Sequence, residues 1–395
     1  MSDTLNAATP AIRPATRAMI ERLIAFDTTS RNSNLELIHY VRDYLADLGV
    51  AAELVHDADG RKANLYATLG PADRPGIALS GHTDVVPIDD QDWTRDPWQV
   101  SEHGGRLYGR GTCDMKSFIA VALAHAPRFL DGGLHTPVHF CFSYDEEIGC
   151  KGVPGLLAFL ARQPVKPAMC VVGEPTGMKV ITGHKGKSSI RCHVRGKEAH
   201  SSLAPYGVNA VNAAARVVNH LADMAARKAA EGPFDHDFDV PYTTVHTGTI
   251  EGGTQLNIVP GHCRFEFEFR YLPQDDPKAL LAEVQGFAEA AVAPAMQAVD
   301  AATGFGWEVM AGFPGLDLAP GAEVIELAKA LSGGNATGKV AFGTEAGLFD
   351  HSGIPAVVCG PGSIDQAHKP DEFVALEQVA LCERFMDRLE ERLRA

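Results

Sequence analysis

The sequence predicts an α/β protein: one discontinuous domain on a mostly parallel mixed sheet flanked by helices, interrupted by an inserted α+β domain. Three observations carry this. Short, wholly apolar runs alternate with helical patterns up to Gly183; a period-two texture replaces them from residue 184 to about 314; the first texture then returns. The expected division is residues 1–183 and 315–395 for the first domain and 184–314 for the insertion.

In chain order, Ala18 to Phe26 and Leu35 to Leu48 carry apolar residues at helical spacing, and Gly76 to Ser80, Val138 to Ser143 and Met169 to Val172 read as buried strands. The helical patterns Ser117 to Leu130 and Val153 to Arg162 lie between them and complete βαβ units. In the insertion, Ser188 to Val194 alternates, Val208 to Ala230 is an Ala-rich helix, and Arg264-Phe265-Glu266-Phe267-Glu268-Phe269-Arg270 is strictly period two. Three Phe on one face and four charges on the other describe a strand of an antiparallel sheet covered on one side only. A helix at Pro277 to Ala290 and a strand near Phe305 to Ala311 follow. A helix at Ala322 to Leu331, a strand at Pro355 to Cys359 and a closing helix at Leu376 to Leu393 return to the first texture.

The chain has 395 residues with 35 Lys and Arg against 50 Asp and Glu, a net charge of −15. That charge repels nucleic acid and anionic membrane surfaces. Eight scattered cysteines without a C-x-x-C pair are expected to be reduced thiols. With no signal-like apolar stretch in Met1 to Asn32 and no run of eighteen apolar residues, the expected location is the cytoplasm.

Chemistry-bearing residues gather where the strands should end. Ser80-Gly81-His82-Thr83-Asp84 follows the first apolar run, and a period of two puts His82 and Asp84 on one face, where a carboxylate can orient a metal-binding imidazole. The Gly-punctuated loop Gly109-Arg110-Gly111-Thr112-Cys113-Asp114 opens a helix, and Asp114 is placed to cap it. The next strand ends in Asp145-Glu146-Glu147, the following one in Glu174, and the last in a loop holding His368. Taken singly, each reads equally as a turn, a cap or a solvated charge run. Together, His82, Asp114, Glu147, Glu174 and His368 converge on one sheet edge as a mixed nitrogen and oxygen set suited to two divalent ions, without sulfur and hence catalytic rather than structural.

The strings Ser80 through Asp92-Trp93, Gly105 to Lys116, Glu146-Glu147, Gly173-Glu174-Pro175 and Gly343-Thr344-Glu345-Ala346-Gly347 resemble the M20 family of metallopeptidases and amidohydrolases, over essentially the whole chain. Within it, Gln366 to Glu372 and the Gly-Thr-Glu-Ala string are most similar to the branch that deacetylates N2-acetyl-L-ornithine; succinyl-diaminopimelate desuccinylase, aminoacylase and carboxypeptidase activities are the alternatives. Ser117, where glycine is expected, is a departure that touches no ligand. The resemblance implies a bridging Asp114, with His82 and Glu174 completing one metal and Glu147 and His368 the other. It implies two zinc ions, with cobalt or manganese also suited. Water held between them attacks the amide, with Glu146 as general acid/base and Asp84 orienting His82. It further implies that the insertion is a lid and homodimerisation domain and that a cis peptide follows Asp114. His200 is expected to reach a neighbouring subunit's site as an oxyanion donor, and Asn257 and Arg270 to hold the substrate α-carboxylate. On residues alone, His200 reads as a turn histidine and Arg270 as part of a solvated face. Glu345 is expected to pair with a cationic substrate side chain.

Gly333 to Val340 nearly spells a phosphate-binding P-loop, but it follows a helix and has Val340 where a Mg²⁺-binding hydroxyl is needed. A glycine-rich helix stop is the expectation.

Overall fold

The computed structural model describes residues 11–131 and 133–394. The chain divides into two compact units: Met1–Gly183, Asp317–Gly338 and Thr344–Ala395 form the first, and His184–Leu316 with Lys339–Gly343 the second. The short stretch 339–343 lies with the second unit although sequence texture groups it with the first.

Four strands of the first unit run parallel, in the order Val138–Ser143, Ile77–His82, Met169–Pro175 and Ala356–Gly360. Every residue in them is buried, as expected of apolar strands enclosed by helices. Ile77 lies opposite both Val138 and Met169, so these three strands start level and their carboxyl ends form one edge. The flanks are antiparallel: Ala63–Leu69 and then Ala52–His56 on one side, Val180–His184 on the other. Sequence pattern missed Ala52–His56, which is only half-buried and lacks a continuous apolar run, and Ala63–Leu69, whose buried run is interrupted by Asn64 and Thr68.

Helices Pro14–Ile24, Lys116–Asp131 and Leu376–Arg394 pack in succession, and their apolar faces, including Leu23, Phe118, Ile119, Phe385 and Leu389, join one core with the sheet. An ion-pair cluster crosses this layer. His125 Nε2 meets Glu390 Oε2 at 2.8 Å, and Arg13, Arg128 and Arg394 neutralise Asp387 and Glu390. A small sheet of Ser101–His103, Arg106–Tyr108 and Phe373–Ala375 pins the chain after His368 to the segment leading to Asp114. Helix Glu323–Ser332 ends at Gly333 in the left-handed region, φ 78°, with its N–H on Lys329 O. The near-P-loop is a helix stop.

The second unit is a four-stranded antiparallel sheet in the order Thr244–Gly252, His262–Tyr271, Gly186–Arg195, Gly304–Phe313. Phe265, Phe267 and Phe269 are buried against helices Ala210–Glu231 and Pro277–Phe287, which cover one face. Asn209 and Asp276 cap those helices through their side chains. The other face carries ladders of charge, including Arg191 with Glu266 and Arg270 with Glu268. The helical pattern past Phe287 breaks into a π-turn, Ala288–Val292, before Ala293–Gln297. Among the described residues, no helix is long and apolar enough to cross a membrane.

Candidate metal centre

Each strand of the parallel set delivers its chemistry at its carboxyl end. His82 is the last residue of Ile77–His82, and Glu174 the penultimate residue of Met169–Pro175. Glu146 and Glu147 follow Ser143 in a tight turn in which Asp145 and Cys150 take positive φ, and His368, also at positive φ, ends the loop after Gly360. Asp114 precedes the helix that starts at Lys116, and the Asp114–Met115 peptide is cis. Close packing of that helix on the sheet requires Gly173, where an added Cβ would lie 2.0 Å from the Phe118 ring.

The five expected ligands come together. His82 Nε2 lies 3.1 Å from Asp114 Oδ1 and 3.6 Å from Glu174 Oε1. His368 Nε2 lies 3.3 Å from Asp114 Oδ2 and 3.0 Å from Glu147 Oε2. Asp114 therefore turns one oxygen to each of two His and Glu pairs, instead of capping its helix. Ligand atoms of His82, Asp114 and Glu147 lie within 4.8 Å of one another, as do those of His82, Glu146 and Glu174.

The orienting role expected of the Asp84 side chain is divided differently. His82 Nδ1 meets the main-chain oxygen of Asp84 at 2.9 Å, while its carboxylate Oδ1 stands at 3.5 Å. The Asp84 carboxylate instead accepts the N–H groups of Glu146 (3.1 Å) and Glu147 (3.3 Å) and the hydroxyl of Ser30 (2.7 Å). The Cys150 thiol donates to Glu146 Oε1 at 3.4 Å.

Burial raises the Glu174 carboxyl to about 8 and that of Glu147 to about 7, with Asp114 adding to both. Burial, then the charge of Glu174, holds Glu146 well above the carboxylate range. Hydrogen bonds to Asp114 and Glu147 lift His368 to about 10. For Asp114, burial pulls upward but hydrogen bonds from His368 and His82 prevail and hold it low. Among the described residues, no lysine or arginine pairs with these ligand carboxylates, and buried Glu147 Oε1 has no hydrogen-bond partner. Excess buried negative charge and an orphaned oxygen among imidazoles are the conditions a pair of divalent cations satisfies.

Glu345 is 1% exposed, and neither oxygen has a hydrogen-bond partner. Burial raises it to about 7. In the second unit, His200 accepts the N–H of Ser202 and begins a 3₁₀ turn, Ser201–Tyr206, while Ser201 N–H donates to Asn257 O at 2.9 Å. His200 and Asn257 thus share one end of the sheet. Arg270 sits near the far end of His262–Tyr271, about 26 Å of strand rise from His262, paired with Glu268 at 3.0 Å. The residue that sequence reasoning passed over is Glu372, buried beside the Asp114 loop. It stands four positions after His368, at the end of the Gln366 to Glu372 string, which carries the resemblance without giving Glu372 a role of its own.

Residues 78–392 match the family described as peptidase family M20/M25/M40. The chain is 37% identical to an acetylornithine deacetylase of Myxococcus xanthus, over 98% of each protein, and 33% identical to an acetylornithine deacetylase of Shigella sonnei, over 87% of this chain and 86% of that one. Its fold is similar to an M20 family metallo-carboxypeptidase of Sulfolobus solfataricus (TM-score 0.74, 18% identity, 97% of this chain and 99% of that one). It is also similar to an aminopeptidase of Bacillus cereus (TM-score 0.71, 23% identity, 96% and 98%). With a two-unit α/β architecture, five convergent histidine and carboxylate side chains of a kind that can hold metal, and a family match over most of its length, the chain belongs to the M20 family of metal-dependent peptidases and amidohydrolases.

Proposed function

We propose that this enzyme hydrolyses the amide of N2-acetyl-L-ornithine to acetate and L-ornithine, a step that supplies arginine biosynthesis. The observation that carries the chemistry is Asp114 facing His82 with one oxygen and His368 with the other, with Glu174 and Glu147 completing the two sets. Near-full-length similarity to acetylornithine deacetylases supports the substrate.

His82, Asp114 and Glu174 would hold one divalent ion, and Asp114, Glu147 and His368 the other; zinc is the proposed occupant, with cobalt and manganese also suited. Bound there, the pair supplies Lewis-acid polarisation of the amide carbonyl and acidifies water. Glu146 takes the proton of the attacking water and delivers it to the leaving α-amine. Its burial, which raises the carboxyl above the ordinary carboxylate range, favours its taking that proton. Asp84 holds the main chain of Glu146 and Glu147 and, through its carbonyl, the ring of His82.

His200 donates to the developing oxyanion, and Asn257 and Arg270 hold the α-carboxylate. One subunit keeps these residues at opposite ends of its sheet, which supports a homodimer in which His200 and Asn257 serve the partner's site and Arg270 its own. Exposed Leu203, Tyr206 and Leu256 beside His200 and Asn257, and the exposed edge strand Thr244–Gly252, are surfaces suited to such a contact. The second unit is thus a lid and dimerisation domain. Glu345, a buried carboxyl with no lysine or arginine paired to it among the described residues, is the proposed acceptor for the substrate's cationic side chain. Eight free, buried cysteines fit a cytoplasmic setting.

The test is acetate release from N2-acetyl-L-ornithine by metal-loaded protein, beside N-succinyl-diaminopimelate and N-acetyl-methionine, with and without chelator. Preferential, chelator-sensitive turnover of the ornithine compound is expected. Preference for another of the three retains the chemistry and overturns the substrate.

A further inference from the structure

We propose that Glu372 is a positioning residue that presets Asp114 for metal, and that Arg110 and Gln91 extend this hold to the His368 loop, so both loops are set as one piece. The proposal rests on the two-metal reading of the site.

Glu372 is 1% exposed, and it collects donors from the loop before Asp114. Its Oε1 accepts the N–H of Cys113 at 2.7 Å and of Asp114 itself at 3.0 Å, and Gly111 N–H lies 3.1 Å from both oxygens. Its own carbonyl accepts the N–H of Gly109 at 3.0 Å. Three main-chain N–H groups converging on one point form an anion cradle. Gly111 permits that path, because its φ of +85° lies in the left-handed region and an added Cβ would stand 2.9 Å from Val85. The main chain of Asp114 is therefore fixed by an anion whose residue arrives from 258 positions away.

Arg110, also 1% exposed, closes the arrangement. Its Nη1 donates to Glu372 Oε2 at 2.7 Å and its Nη2 to Gln91 Oε1 at 2.5 Å, while Gln91 Nε2 donates to the His368 carbonyl at 3.2 Å. Asp371 adds a parallel tie by accepting the N–H and hydroxyl of Thr94. Asp114 and His368 stand on loops with no direct sequence relation, yet a continuous hydrogen-bonded path joins their backbones through Glu372, Arg110 and Gln91. A buried ion pair gives little net stability against an apolar replacement. Its placement on the backbones of two metal-binding residues is accounted for by preorganisation, which spares the ion the cost of ordering its ligands.

The test compares wild type, Glu372→Gln and, as a control for burial alone, Glu383→Gln. Glu383 is a buried carboxylate on the closing helix that accepts Arg13 N–H at 2.9 Å, away from the ligands. Each protein is stripped and titrated with Zn²⁺ against a competing chelator, and the stripped form is melted. Glu372→Gln is expected to weaken metal binding about 10- to 100-fold. At saturating metal, its kcat falls while KM holds. Glu383→Gln is expected to lower the melting temperature and leave metal affinity at the wild-type value. Unchanged metal affinity in Glu372→Gln overturns the proposal. If that variant does not fold, Gln91→Ala decides: it removes the tether to His368 together with the acceptor of Arg110 Nη2 and Trp93 Nε1, and leaves Glu372 on the Asp114 loop, so weaker binding at one of the two positions supports the proposal and wild-type binding at both overturns it. A wild-type protein that takes up no divalent ion overturns the reading of the site, and this inference with it.

Discussion

The Asp84 carboxylate accepts the main-chain N–H of Glu146 at 3.1 Å, so the residue two beyond the first histidine secures the turn that carries the acids. Asp84→Asn places an amide N–H₂ where both oxygens now accept, and one of the Glu146 and Glu147 N–H groups loses its acceptor. A kcat loss of about 10- to 100-fold with weaker metal retention is expected. Steady-state kinetics and metal content of the dialysed variant check this; wild-type values for both would refute it.

Glu146→Gln removes the proton carrier and leaves the five proposed ligands in place. Turnover should fall by about 10²- to 10⁴-fold while two equivalents of metal remain bound. Loss of metal alongside activity would instead make Glu146 a ligand, a role its nearness to His82 and Glu174 allows.

Two inactive proteins should complement each other. On the proposed dimer, a His200→Ala subunit would keep Arg270 for its own site and receive His200 from an Arg270→Ala partner, which would restore one site in each mixed dimer. Equal mixtures after subunit exchange should regain about a quarter of wild-type activity. Mixtures as inactive as their components would mean that one chain supplies both residues.

Glu345→Gln should weaken N2-acetyl-L-ornithine far more than N-acetyl-methionine, by about 10- to 100-fold in kcat/KM if a charged hydrogen bond is lost. Equal losses on both substrates would make Glu345 a structural residue.

His139, in the strand Val138–Ser143, has Nδ1 within hydrogen-bond distance of the Tyr66 and Thr68 hydroxyls, has no partner at Nε2, and is lowered by burial to about 4. The unfolded chain, with an ordinary histidine pKa near 6.5, binds the proton first as pH falls. The stability contributed by neutral His139 is therefore full above about 6.5 and is lost between there and about 4, up to about 3 kcal/mol. Denaturant unfolding across pH 4 to 7 should show this slope, flattened in His139→Phe; an identical slope in the variant would exclude His139 as its source.

The convergence of His82, Glu147, Glu174 and His368 was legible because each follows or ends an apolar run whose end the sequence marks, and parallel topology brings such ends to one edge. Boundaries such as Val138–Ser143 follow from the same runs. The burial and role of Glu372 were illegible for the opposite reason, although the residue closes the Gln366 to Glu372 string: its neighbours are polar, and its burial is decided by Arg110 and the Gly111–Asp114 backbone, which local pattern does not contain. The antiparallel strand Ala52–His56 escaped because one half-buried edge leaves no periodicity strong enough to separate it from a loop. The division of labour at Asp84, carbonyl to His82 and carboxylate to the acid turn, depends on rotamer and main-chain direction rather than on spacing.

All eight cysteines are enclosed. A thiol reagent in the bulk finds nothing to modify until part of the chain opens, so the speed at which label accumulates measures how often each region breathes. Cys192 and Cys263 report the inserted unit, while Cys141, Cys170, Cys359 and Cys382 report the sheet and its closing helix. The protein thus carries, without any engineering, a set of clocks for the separate opening of its two units.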